Sequence, residues 1–366
     1  FPPAHFGSFT IRADGTLQDF TTEPYWSLSS IAPTIFSRED AIRLMKQKFE
    51  EAVEVRLKSD RPIGCLLSGG LDSSLVAALI QQHCKKNGTT LKTFSIGMPG
   101  SSDLKYARIV ANHIGSDHHE VVVSQQDFLD AIPEVVACTE TYDITTVRAS
   151  VGMYLISKYI STTTDIRVIY SGELSDELLQ GYMYFHNQPS DLDGDRESKR
   201  LITDVHFFDV LRADRTTAAF GLELREPFCD QEFIKFVYSI HPIVRSPYNN
   251  VEKWLLRQAF ASTGILPDEV LWRCKVAFSD GVSTQEKSWF QVIAEHVEDK
   301  VSVIKQYEHL SPVSKESQYY RSIFDSYYPN MDRMIPYFWL PKWNGNIKEP
   351  SATVLGAYKD RTTSAT

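Results

Sequence analysis

A short apolar run at 63–67 ends in Ser68-Gly69-Gly70-Leu71-Asp72-Ser73-Ser74, and the residues after it, 75–80, repeat with helical spacing. A buried strand that passes through a glycine-bearing loop straight into a helix leaves backbone N–H groups unpaired at the helix start. The helix dipole adds to them and favours anionic oxygen there. Glycines let a backbone approach a polyphosphate without Cβ interference. Ser68, Ser73 and Ser74 add hydroxyl donors, whereas Asp72 would be repelled by phosphate. Its fitting role is to hold a Mg²⁺ that bridges phosphate and protein. The loop has neither the lysine of GxxxxGK[ST] nor a GxGxxG, so it is not one of the commoner phosphate loops. The bland alternative is a Ser/Gly turn capping a helix; the strand-loop-helix context weighs against it.

The surroundings repeat this pattern. Ser37 before Arg38-Glu39-Asp40 reads as an N-cap with an acidic first turn, and apolar residues at 41, 44, 49, 53 and 55 predict a helix to about 57. Strand candidates at 63–67, 91–96, 120–123 and 166–170 alternate with helix candidates at 75–80, 104–114, 128–137 and 151–160. Alternation with short links implies an α/β fold, a parallel sheet covered by helices on both faces. A second loop, Ser171-Gly172-Glu173-Leu174-Ser175-Asp176-Glu177, follows the strand at 166–170. In such a sheet the carboxyl ends of the strands share the edge where ligands bind, so Asp176 and Asp72 could share a metal. By itself the patch is also readable as an acidic helix start.

Beyond 182 the strand signal fades. Residues 190–199 read as a charged loop, and 254–260, 289–301 and 319–327 as helices of a C-terminal helical extension. The first 36 residues read as a connector with a short hairpin around 9–15, the functional domain as 37–345, and 346–366 as a flexible tail.

At 366 residues and 42% hydrophobic the chain can bury a substantial core. Its net charge of −9 argues against broad nucleic-acid or anionic-membrane binding. Cys65, Cys84, Cys138, Cys229 and Cys274 form no CxxC pair and no metal spacing, and their odd number argues against a disulfide framework. A reducing, cytoplasmic setting fits, with no apolar run long enough to span a bilayer and no signal peptide. The chain opens on Phe1, which suggests an excised domain or a processed product.

The first loop resembles the SGGxDS loop of the ATP pyrophosphatases, the PP-loop family. Further stretches narrow the likeness: 141–150, 209–215, Gly221 to Asp230, and Leu271 to Gly281. In this order they resemble the synthetase domain of glutamine-dependent asparagine synthetases, animal forms above all, over roughly 40–345. The resemblance implies ATP and Mg²⁺ as cofactors, aspartate and ammonia as substrates, a β-aspartyl-AMP intermediate, and asparagine, AMP and pyrophosphate as products. By matching motif positions, Leu67, Ile96, Ser171 and Gly172 frame the adenosine. Ser68, Gly69, Gly70, Asp72 and Ser73 hold pyrophosphate, with Ser74 beside them, and Asp72 and Asp176 ligate Mg²⁺. Lys275 stabilises phosphate charge, Glu173 is tied to intermediate formation and to the proton of the attacking ammonium, and Asp230 orients Lys275. The family also carries an upstream glutaminase domain, absent here, whose place would be taken by a separate chain, an excised segment or free ammonia. A homodimer stays open.

The departures lie inside the motifs. Leu174 stands where the family's SGEGxDE has glycine, Glu226 and Cys229 interrupt its RVPFLD, and Cys274 and Val276 flank the lysine of its RPKEAF. A Cβ at Leu174 is costly if the position needs positive φ. Three accounts follow: asparagine synthesis with drifted neighbours, a paralogue using another carboxylate or amine, or a weakened homologue kept for interaction. Enzymes that adenylate a tRNA base before thiolation share the loop, but the acidic balance and scattered cysteines speak against that class.

Overall fold

The computed structural model describes residues 1–283, 287–345 and 349–351. Ser37 caps helix α1 (Arg38–Glu54), its Oγ accepting from the Asp40 amide at 3.3 Å. Met45, Phe49 and Val53 on its inner face are buried. The expected hairpin is present and longer than read: β1 (His5–Ile11) pairs antiparallel with β2 (Leu17–Pro24), and most of both strands is exposed.

The sheet is built from β3 (Ile63–Leu66), β4 (Lys92–Gly97), β5 (Asp117–Val122), β6 (Val168–Tyr170) and β7 (Glu223–Arg225), in the order β5-β4-β3-β6-β7, all parallel. The crossovers carry α2 (Leu71–Lys86), α3 (Ser102–Ile114), α4 (Gln125–Asp130), α5 (Ile132–Thr139) and α6 (Ile144–Thr163). Side chains of β6 alternate: Val168 and Tyr170 join the core under α1 and α2, Ile169 joins the core under α5 and α6. This is the helix-covered parallel sheet that the alternating pattern predicts.

Three local expectations change. The segment 128–137 is two helices, because Pro133 enters at the first turn of α5 and begins a new one. The "charged loop" at 190–199 is helical, within α8 (Asp191–Asp204). Ser190 caps it, and its buried positions Gly194, Glu197, Ser198 and Leu201 follow helical spacing with only one apolar residue among them. Strand β7 was missed because only Leu224 of its three residues is apolar; backbone pairing with β6 alone defines it.

After β6 come α7 (Ser175–Leu178), α8, α9 (Asp209–Ala218), β7, α10 (Gln231–Ser239), α11 (Pro242–Arg245), α12 (Trp254–Ala261), α13 (Asp268–Leu271), α14 (Phe278–Gly281), α15 (Trp289–Glu298) and α16 (Lys315–Tyr327). Helices α10 and α12 pack beside α1, while α15 and α16 cover the opposite face. The expected tail at 346–366 lies outside the described residues except for 349–351, which fold back: Ser351 Oγ donates to Asp280 Oδ1 at 2.8 Å. Among the described residues the cysteines form no disulfide. Among the described residues no helix is long and apolar enough to cross a membrane.

Candidate active site

The loop after β3 and the loop after β6 meet at the C-terminal rim of the sheet because β3 and β6 are neighbours. Two glycines make the meeting close. Gly69 has φ +72°, and a Cβ there would fall 2.4 Å from the Ala107 amide of α3. A Cβ on Gly172 would lie 2.6 Å from the Ser73 amide at the start of α2. In this structure these glycines serve the packing of backbone on backbone.

The first loop is tied internally: the Ser68 amide donates to Ser73 Oγ at 3.2 Å, and the Gly70 amide donates to Ser68 Oγ at 3.3 Å. Helix α2 therefore starts at Leu71, earlier than its apolar period suggests, and Asp72, Ser73 and Ser74 lie in its first turn. Leu174 of the second loop sits at φ +73° with its side chain buried, so the left-handed conformation suspected from the missing glycine is adopted.

Asp72 and Asp176 converge. Lys253, just before α12, stands between them with Nζ 2.6 Å from Asp72 Oδ2 and 2.6 Å from Asp176 Oδ1. Ser175 Oγ donates to the other Asp72 oxygen at 2.7 Å, and Lys275 Nζ reaches Asp176 Oδ2 at 2.5 Å. Burial opposes ionisation of Asp176, but the ammonium groups of Lys253 and Lys275 outweigh it and hold the carboxyl down at about 2. Burial likewise works against charge on Lys275, yet the neighbouring Asp176 and Asp72 push its pKa up. Glu177 is pushed up to about 7, by burial first and then by Asp176.

Glu173 accepts from Arg212 Nη2 at 2.6 Å, and Arg212 also holds Asp209. Tyr182 donates to Glu177 at 2.6 Å and lies 3.2 Å from Asp209. Arg273 donates to the Gly69 carbonyl at 3.0 Å and to Asp103 at 3.1 Å, stacking its guanidinium 4.0 Å over Tyr106. Glu252, fully buried, pairs with Arg257 at 2.6 Å and accepts from the Lys275 amide at 3.1 Å. One two-residue stretch thus anchors the Lys275 segment and bridges the two aspartates.

A single cavity gathers Leu67, Ser68, Gly70, Asp72, Ser73, Ile96, Ser171, Gly172, Glu173, Asp176 and Lys275. Its wall is apolar toward Ala149, Met153, Ile156 and Phe278, and charged toward Asp72, Lys253 and Lys275. Gly69 contributes its carbonyl behind the loop, and Ser74 is wholly buried in α2, its amide bonded to the Gly70 carbonyl. Asp230 does not reach Lys275. It caps α10, accepting from the Phe233 amide at 2.9 Å, and pairs with Arg56 at 2.7 Å. The residue that holds Lys275 is Asp176.

Lys253, Glu252 and Tyr182 were not legible beforehand, because isolated residues in a helical region give no local signal, and Arg273, like Arg212, lay in a noted stretch without a role of its own. Among the described residues no cluster of three or more His, Cys, Asp or Glu side chains is arranged around a metal position. Two converging carboxylates nevertheless suit a Mg²⁺ that takes its remaining ligands from phosphates and water.

The asparagine synthase family model matches residues 44–197 and 188–347. The chain is 51% identical over 319 residues to the glutamine-hydrolysing asparagine synthetase of Bos taurus, 49% over 378 residues to that of Gallus gallus and 50% over 319 residues to that of Homo sapiens. These alignments cover 85%, 98% and 85% of this chain and 57%, 67% and 57% of those proteins. The chain thus spans roughly six-tenths of the length of the curated relatives it matches. Among solved structures, the NH3-dependent NAD synthetase of Campylobacter jejuni is 22% identical with a TM-score of 0.26, covering 40% of this chain and 61% of its own, too slight a likeness to argue from. A strand-edge cavity with paired aspartates, carried on a sequence about half identical to these enzymes, makes the chain a member of the asparagine synthase family.

Proposed function

We propose that this chain is the ligase part of an asparagine synthetase, which joins ammonia to aspartate at the expense of ATP. The observation that carries the reading is the convergence of Asp72 and Asp176, from two separate loops, on one cation position at the rim. An aspartate side-chain oxygen attacks the α-phosphorus, the bond to the β-phosphate oxygen breaks, and pyrophosphate leaves. Ammonia then attacks the acyl carbon, AMP departs and a proton is lost from nitrogen. Adenylation supplies the leaving group that a carboxylate lacks.

Leu67, Ile96, Ser171 and Gly172 suit the adenosine, alongside the apolar wall. The Ser68–Ser74 loop and the N-terminal turn of α2 suit the β- and γ-phosphates. Lys275 brings a point charge to the phosphates. Glu173, held by Arg212, fits the acceptor of the ammonium proton. Mg²⁺ held by Asp72 and Asp176 would neutralise charge on the departing pyrophosphate. A glutaminase partner is the fitting ammonia source, since the relatives are named glutamine-hydrolysing. A cytoplasmic site of action agrees with cysteines that form no disulfide among the described residues.

The test is a screen of amino acids for ATP–pyrophosphate exchange. Aspartate and Mg²⁺ should both be required. Asp72→Ala should lower exchange by about 100-fold or more. Its melting temperature should stay near the parent's, because Lys253 keeps Asp176. Exchange indifferent to aspartate, or normal turnover in Asp72→Ala, would defeat the reading.

A further inference from the structure

Lys253 is not a surface lysine that happens to touch an acid. It is buried, and its Nζ is equidistant from Asp72 and Asp176. Its backbone is left-handed, φ +54°, fixed between the Tyr248–Val251 bridge and the start of α12. Its side chain passes directly over Gly181, where a Cβ would fall 2.0 Å from Lys253 Cε and 2.2 Å from Asp176 Oδ1. Chain geometry therefore aims this ammonium at the carboxylate pair.

We propose that Lys253 holds the divalent-cation position between Asp72 and Asp176, and yields it only when a nucleotide arrives with its phosphates. The inference rests on the proposed use of those two aspartates as metal ligands. A Mg²⁺ or Mn²⁺ bound to both carboxylates sits about 2.1 Å from each oxygen, in the space the ammonium takes. Both cannot occupy it. The local charge also balances without metal: two aspartates face the ammonium groups of Lys253 and Lys275. A bare divalent ion would enter a neutralised, low-dielectric site against two positive charges. A triphosphate reverses the balance, because its oxygens offer both lysines a new partner and leave the carboxylates for the metal. Metal and nucleotide then bind synergistically, which by linkage must hold in both directions.

The experiment measures Mn²⁺ binding by electron paramagnetic resonance and calorimetry, with and without a non-hydrolysable ATP analogue, on the parent chain, Lys253→Gln, Asp72→Asn and Lys253→Gln/Asp72→Asn. Without nucleotide, Lys253→Gln should bind Mn²⁺ at least about tenfold more tightly than the parent. The double variant should lose that gain, which assigns it to this site. In the parent, the analogue should tighten Mn²⁺ binding by a similar factor beyond what the analogue binds in free solution. Equal Mn²⁺ affinity in parent and Lys253→Gln overturns the proposal. If Lys253→Gln does not fold, the parent alone decides, since nucleotide-independent Mn²⁺ affinity overturns it equally. Failure of the underlying metal assignment looks different: Asp72→Asn alone would then leave Mn²⁺ binding in the presence of the analogue untouched.

Discussion

Glu226 is an acid whose surroundings offer a negative charge little support. Among the described residues Oε1 is sealed from solvent with no hydrogen-bond partner, and Oε2 accepts only the Cys229 thiol, at 3.3 Å. Burial first, then the nearby Glu173 carboxylate, pushes the Glu226 carboxyl from 4.5 up to about 8, with Arg212 opposing. The folded chain therefore keeps a proton that the unfolded chain releases. Stability tied to this group is complete below about pH 4.5 and is lost as pH rises through about 8. Glu226→Gln removes that loss, so its advantage over the parent should be larger at pH 8 than at pH 5 by roughly 2–4 kcal/mol in urea unfolding. An advantage that does not change with pH would contradict the buried-acid account. Leu174 poses the opposite question. Its left-handed backbone favours glycine by about 1 kcal/mol, but its side chain is buried in the main core, and such a leucine contributes about 2–4 kcal/mol. Burial wins, so Leu174→Gly should lower stability by about 1–3 kcal/mol despite the better backbone fit. A gain in denaturation midpoint would refute that ordering.

At the scale of elements, α8 shows how a helix can be stable without an apolar stripe. Ser198 Oγ donates to the Glu177 carbonyl at 2.7 Å, fastening α8 to the loop that carries Asp176. Glu197, fully buried, pairs with Arg200 at 2.6 Å and with Lys342 at 3.0 Å, and accepts from Tyr184 at 3.1 Å. Arg200 and Lys342 are partly exposed and can rehydrate, which softens the loss if Glu197 is removed. Glu197→Ala should therefore cost about 2–3 kcal/mol, below the range for a wholly buried pair, as read from denaturation midpoints at unchanged m-value. A neutral result would mean that α8 is held by backbone capping alone. The short strand β7 makes a similar point from the sheet edge. Backbone hydrogen bonds to β6 stabilise it, and it carries the chain to Glu226 beside the second loop.

Across the whole molecule, two cores flank the sheet and one buried ion pair ties the C-terminal part to the cavity wall. Arg148 on α6, in the stretch that lines the cavity with Thr145 and Ala149, holds Glu316 of α16 at 2.5 Å and also Glu349. Trp339 and Pro350 complete the cavity wall from the same C-terminal region. Arg148→Leu leaves the buried Glu316 without its cation, so it should destabilise the fold by about 3–5 kcal/mol. It should also raise KM for the nucleotide, because the wall formed by Pro350 is released. Loss of stability with an unchanged KM would separate the tie from the site.

The sequence by itself determined four of the sheet's five strands, most crossover helices and the two loop segments at the rim, because these depend on local signals: apolar periodicity, N-caps, and glycines followed by helix starts. Eleven of the predicted site residues line a shared cavity for that reason. Tertiary structure alone decided the partners. Asp230 was misassigned because motif position says nothing of which cation a carboxylate will meet; here it meets Arg56. Lys253 was missed because an isolated lysine carries no pattern, and its role arises only when β3, β6 and the segment before α12 are brought to one point. Strand order and chain packing set which charges face each other, and Coulomb interactions in a buried site depend on that distance far more than on sequence spacing.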